Sequence, residues 1–371
     1  MEYYILDYII GVSTCFIRKG GLKTDFQDEK RAENFAPSYS IGKGFYNPYF
    51  EPRYIREKHL IKKTANSIGL TVLLYVLFSS FLSDIVYKAA EIILPSLAFS
   101  GKLYVSEVSI EVINAIVYLF SLLVPLFIHI AIVGIPVEKA LPFSSLKSDM
   151  AKGGVFIGLA MITVATYSTG WFYNVLRTFG IEATQPELYS PETPAGRIAY
   201  FISVVILPAF VEEMLLRGAV MQSLRPFGDT FALILSSVLF GMLHMNFVQM
   251  PYAFIMALCI GYFVMRSGSL WVGVIIHLIN NGTATLLEFY TEDIGLAPSS
   301  AIDMVLDIIF IIMGFIALLV LVKNHKDLFR LDGYRGALSV SERVKCFSVS
   351  PVFVVAAVVM LIKSLKYLSF I

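Results

Sequence analysis

Charge is scarce in this chain: Asp, Glu, Lys and Arg make up 15% of its 371 residues, against about a quarter in ordinary soluble domains. With 57% hydrophobic residues and a mean hydropathy of +0.73, that scarcity excludes a soluble domain with a large core. It predicts an all-α polytopic membrane protein. The net charge of +1 gives no reason to expect a nucleic-acid partner. Three scattered cysteines, Cys15, Cys259 and Cys346, form no C-x-x-C pair, which leaves no disulfide framework and no cysteine metal site. Several protease signatures are missing as well. There is no H-E-x-x-H zinc-peptidase helix, no G-x-S-x-G serine elbow and no G-x-G-D of the intramembrane aspartyl type. No internal repeat supports an inverted-repeat transporter. The apolar start, Met1–Ile17, carries Glu2 and Asp7 without a basic flank; it reads as a helix lying in the interface and not as a cleaved signal peptide.

What is present is a series of long apolar runs, at about 64–87, 112–134, 151–173, 197–222, 230–248, 251–266, 270–289 and 301–322. These predict about eight transmembrane helices. A shorter ninth run at about 349–362 reads either as a span or as a surface helix. Loop charges alternate. The segment before the first span holds eleven Lys/Arg, and the loop at 323–348 holds six. Lys139, Lys147, Arg225 and Arg266 fall in the loops between them. The other loops carry Glu91 and Glu107, then Glu182, Glu187 and Glu192, then Glu292 and Asp293. The alternation predicts eight spans with a cytoplasmic amino terminus. Four regions follow: a cytoplasmic or interfacial segment 1–63, helices 64–195, a motif-bearing core 196–290 and a carboxy-terminal helix and tail 291–371.

The core spans contain ionisable groups that cost about 2.5–3.5 kcal/mol each at mid-membrane. Glu213 and Arg217, four apart, share a helix face and can pair; Glu212 is turned about 100° away, toward a substrate or a water. That leaves Glu212 suited to general-base work, against the plainer reading of a buried ion pair locking two helices. Phe240 and His244 share a face of the next span, so the ring can shield the imidazole. His277 and Asn281 share a face two spans later. They are arranged for an oxyanion hole, for metal ligation, or for interhelical hydrogen bonds, with Asn280 offering similar donors alongside. Together these residues predict a polar intramembrane cavity. Asn114 and His129 read as packing contacts, and Asp303 and Asp307 as acids near a helix amino terminus.

Three runs carry a resemblance. Val211-Glu212-Glu213-Met214-Leu215-Leu216-Arg217-Gly218, Ser236 to His244 ending Phe240-Gly241-Met242-Leu243-His244, and His277-Leu278-Ile279-Asn280-Asn281 resemble the three motifs of the CPBP family. These are the CAAX-processing endopeptidases and bacterial bacteriocin-processing (Abi) proteins, also called type II CAAX proteases. The resemblance covers roughly residues 195–290. It implies an intramembrane endopeptidase in which Glu212 is the general base and His244 its partner in activating water. His277 and Asn281 would bind the oxyanion, Glu213 with Arg217 would hold the site together, and Phe240 would pack beneath it. The family has been described both as metalloproteases and as metal-independent glutamate-type enzymes. Glu212, His244 and His277 therefore stand as a candidate three-ligand site for a divalent metal such as zinc. The implied partners are the membrane and a peptide or lipidated protein substrate, in a cavity opening toward the cytoplasm or the bilayer. An Ile/Lys/Phe/Tyr-rich composition points to a bacterial plasma membrane. The rival readings are a non-catalytic membrane scaffold and a transporter using Glu212, His244 and His277 as a proton relay.

Overall fold

The computed structural model describes residues 52–93, 98–99, 102–103, 106–186, 190–294, 300–331, 333–334 and 336–370. The proposed interfacial helix Met1–Ile17 and most of the basic segment after it lie outside the described residues. The longer helices are α1 (Arg53–Ile93), α2 (Glu107–Val133), α3 (Asp149–Thr178), α4 (Pro194–Phe227), α5 (Asp229–Leu243), α6 (Met250–Ser267), α7 (Trp271–Ile294), α8 (Ser300–Asn324), α9 (Val340–Ser348) and α10 (Pro351–Leu365). Two short antiparallel ladders complete the chain: β1 (Ala98–Phe99) with β2 (Lys102–Leu103), and β3 (Ile181–Ala183) with β4 (Leu368–Phe370).

The chain is an all-α polytopic membrane protein. Seven described helices are long and apolar enough to cross a bilayer, and α9 with α10 make an eighth if that pair, bent by 72°, is one span. The route to eight differs from the sequence expectation at the fifth span. Its run of 230–248 yields a helix of only 15 residues, about 22 Å long at 1.5 Å per residue. The chain turns early because Met245 takes a positive φ of 51°. Asn246 then accepts from the Gln249 backbone N–H (2.8 Å) and donates to the His244 carbonyl (2.9 Å), nucleating α6. At the other end of the chain, α1 begins at Arg53 behind Pro52, so the last basic residues assigned to a tail are helical.

Helix α4 lies at the centre. Val205, Ala209, Leu215, Leu216, Ala219, Val220, Met221 and Leu224 along it are almost wholly buried. By contrast α8 exposes Met304, Ile308, Ile312, Phe315 and Leu319, the apolar face a lipid-facing helix needs. A buried imidazole ties three helices: His129 on α2 bonds the hydroxyls of Ser67 (2.9 Å) and Ser223 (3.0 Å). His129 is therefore the packing group expected.

Loops grouped by charge in the sequence do meet in space. At one end Leu270 N–H reaches the Pro142 carbonyl (2.9 Å), Arg266 pairs with Asp327 (2.8 Å), and Tyr334 donates to Glu57 (2.5 Å). Hydrogen bonding from Arg266 holds the Asp327 carboxyl below its usual range. At the other end Glu107 accepts from the Glu192 and Thr193 backbone (2.9 and 3.0 Å), and Arg197 pairs with Asp293 (2.8 Å). Two acidic or basic residues do more than the sequence implied. Asp307 accepts from Thr163 on α3 (2.6 Å), an interhelical bond rather than a helix-end preference. Arg343, read as a loop charge, is buried, donates to the Phe227 carbonyl and stacks 4.0 Å from the Tyr334 ring.

Candidate active site

Helix α4 departs from α-helical winding twice, with π-type turns at Ile202–Ile206 and Met214–Val220. Pro208 accounts for the first: it has no N–H to return to the Val204 carbonyl. The Asn281 amide donates to that carbonyl instead (3.2 Å). The second follows directly on Glu212 and Glu213, and Gln222 caps the Arg217 carbonyl there (3.2 Å). π-Turns inside helices concentrate at functional sites because they re-aim side chains.

Glu213 is fully buried. Its Oε1 lies 2.9 Å from Arg217 Nη1 and 3.1 Å from His277 Nδ1. The Arg217 approach is an ion pair without hydrogen-bond alignment; the guanidinium is also held 4.1 Å over the Phe240 ring. Phe240 meets His244 and His277 edge-on, with centroids at 5.1 and 6.1 Å. One aromatic ring thus floors three of the polar groups. Gly273, one turn before His277, lets α7 approach: a Cβ there would collide with Glu213 Oε2.

Partner chemistry sets the histidine tautomers. A carbonyl only accepts, so His244 Nδ1, 2.9 Å from the Phe240 carbonyl, carries the proton. His277 Nδ1 likewise donates to the Glu213 carboxylate. In the tautomer these contacts select, Nε2 is the accepting nitrogen of each ring. Glu212 is turned away from Glu213, as its position predicts; its Oε1 accepts from Tyr118 on α2 at 2.5 Å, and its Oε2 lies 3.9 Å from His277 Nε2. Glu212, Phe240, His244, His277 and Asn281 all line one cavity of about 1010 Å³, so the expected polar cavity exists. It runs toward the acid-bearing end of the bundle, where Glu111, Tyr200 and Glu288 line it, and not toward the Lys/Arg-rich end. Asn114, expected to be a packing residue, also lines it.

Residues 194–283 match the family model of the type II CAAX prenyl endopeptidases described as Rce1-like. That match covers 90 of the 371 residues. No curated protein and no solved structure matches the chain. The Rce1-like match implies a peptidase, and its span takes in α4, α5 and α6 and the part of α7 that carries His277 and Asn281.

Two features of the geometry bear on the expected roles. His277 directs Nδ1 at Glu213, so the nitrogen that faces Glu212 is Nε2. Asn281 has spent one amide hydrogen on Val204 and keeps the second. As for a metal, among the described residues no three His, Cys, Asp or Glu side chains are placed to hold one ion. Glu212, His244 and His277 in this arrangement do not fit a three-ligand site. Tyr118, which makes the shortest contact to Glu212, and Gly273 were not singled out from the sequence. Gly273 sits four residues before His277 on the same face, a spacing that marks it as facing the same partner. Nothing local to α2 marks Tyr118.

Proposed function

We propose that the chain is an intramembrane endopeptidase that hydrolyses a membrane-associated peptide near its carboxy terminus, lipidated or not, with Glu212 as the general base. The observation that carries this reading is the gap between Glu212 Oε2 and His277 Nε2. At 3.9 Å it is too wide for a direct hydrogen bond, and it opens into the cavity. A water there has two acceptors waiting, and His244 lines the same cavity.

Tyr118 occupies Glu212 Oε1, which leaves Oε2 to take the proton as the water oxygen attacks the scissile carbonyl. The resulting oxyanion meets the free amide hydrogen of Asn281. The proton on Glu212 then passes to the leaving amine, and the C–N bond breaks. Glu213 and Arg217 stay out of the chemistry and hold His277 in place. The composition and the Lys/Arg-rich end favour a bacterial plasma membrane, with that end in the cytoplasm.

The test is cleavage of a degenerate peptide pool by the full-length protein in lipid nanodiscs, read by mass spectrometry. Glu212→Gln keeps an acceptor for Tyr118 but cannot take a proton. It should lower cleavage by about 10²–10⁴-fold, the range for loss of a general base, with the melting temperature unchanged. Undiminished cleavage by that variant would rule out Glu212 as the base.

A further inference from the structure

An arginine buried in a protein normally faces a carboxylate. Arg343, in α9, is only 6% exposed, yet among the described residues it has no carboxylate within ion-pair distance. The acids around it are engaged elsewhere. Asp229 holds Arg225 with both oxygens (2.8 and 3.1 Å). Glu57 accepts from the Tyr334 hydroxyl, the Ala337 N–H and Arg53. Glu342 caps α9 at Ser339 (2.9 Å) and faces Lys58 (3.9 Å).

Arg343 itself donates from Nη1 to the Phe227 carbonyl, the last of α4, while its Nε is buried with no acceptor. Aromatic rings hold the cation: its Cζ lies 4.0 Å from the Tyr334 centroid and 5.6 Å from that of Phe231. Rings attract the charge but do not accept the remaining N–H groups as a phosphate or carboxylate oxygen would.

The guanidinium stands at an open helix end. Helix α5 starts at Asp229 behind Gly228, with no side chain capping it. Its first internal bond runs from the Ala232 N–H to the Gly228 carbonyl (2.9 Å). The N–H groups of Asp229, Thr230 and Phe231 therefore have no acceptor within the helix. Gly228, at φ 110°, permits the approach: a Cβ there would lie 3.0 Å from Arg343 Nη1. Thr230 is exposed, so this end is open to the surroundings. Arg225 neutralises Asp229, which leaves the Arg343 charge and the helix dipole acting together on an anion. None of these residues lines the cavity that holds Glu212 and His277.

We propose that Arg343 and the amino terminus of α5 form a binding site for a phosphoryl group, carried by a lipid headgroup or by a soluble phosphate. A phosphoryl group brings both the negative charge and enough oxygens to meet a guanidinium and helix N–H groups at once. Bound there, it ties α9 to the corner between α4 and α5. The site stands whether or not the cavity cuts peptides.

The experiment uses the full-length protein in dodecyl maltoside, a detergent without phosphate, washed free of lipid. Thermal unfolding is followed as inorganic phosphate replaces chloride at fixed ionic strength. A second arm adds phosphatidic acid, with diacylglycerol of the same chains as the control. Wild type should gain stability along a saturating curve with at least one phosphate probe. Arg343→Lys keeps the charge but loses the planar fork, and should raise the half-saturating concentration about ten- to hundredfold, the range for a hydrogen bond to a charged group. Arg343→Gln should abolish the response; if that variant does not fold, the lysine variant decides. Inorganic phosphate acting alone marks a soluble ligand, and phosphatidic acid acting, with or without it, marks a headgroup. No saturating response of wild type to either probe overturns the proposal. So does a response that Arg343→Lys leaves unchanged, which would make Arg343 only a cap on the Phe227 carbonyl.

Discussion

Removing the hydroxyl that holds Glu212 is the sharpest single-atom change the site offers. Tyr118→Phe keeps the ring and frees Glu212 Oε1, which sits 2.5 Å from that hydroxyl. A hydrogen bond to a charged group contributes about 1.5–3 kcal/mol, so kcat/KM should fall by roughly ten- to a hundredfold. Thermal unfolding in detergent should be little changed. A loss of stability in place of activity would mean the contact is structural. Glu213 predicts the reverse. Glu213→Ala leaves Arg217, only 1% exposed, without its counter-charge, at a cost of about 3–5 kcal/mol, and the melting temperature should drop accordingly. The neighbouring glutamates differ because the helix turns one into the cavity and the other into the core.

At the scale of elements, the winding of α4 depends on two residues 73 apart in the chain. Pro208 strips the Val204 carbonyl of its helical donor, and Asn281 replaces it (3.2 Å). Asn281→Ala should cost about 1 kcal/mol of stability through that carbonyl. Adding Pro208→Ala restores a backbone N–H, so the pair should recover most of the loss in a double-mutant cycle. Strict additivity would show that Asn281 does not serve the carbonyl. This coupling also shows what the sequence can and cannot disclose. The i, i+4 spacing put Glu213 with Arg217, Phe240 with His244, and Glu212 alone, because a helix fixes those neighbours by itself. Tyr118 was invisible because its role depends on how α2 lies beside α4, and no local pattern sets that. The fifth span was overestimated because an apolar run continues through Met245 and Val248 after the backbone has already turned. Loop charges were legible since they act in bulk, yet Arg343 was misassigned: one buried arginine looks like any other in a string.

For the whole molecule, the carboxy-terminal helices complete the cavity wall, and one glycine seats them. Gly69→Val pushes a branched side chain against the Phe353 backbone, 2.5 Å from where a Cβ would stand. Overpacking of this kind costs about 1–3 kcal/mol. The expected result is a lower melting temperature together with protease cutting between α9 and α10 that wild type resists. A variant as stable and as resistant as wild type would show that α10 is not held there.

The brevity of α5 has a consequence for the surrounding lipid. Ile234 and Val238 face outward from it, but its 15 residues fall about 8 Å short of a 30 Å hydrocarbon slab. Hydrophobic mismatch thins the bilayer against the outer face of that short helix, while the turn after it, with Met245 and Gln249, opens onto the cavity. Turnover should therefore respond to acyl length, faster in thin bilayers and slower in thick ones, so that the enzyme's rate reports the thickness of the membrane that holds it.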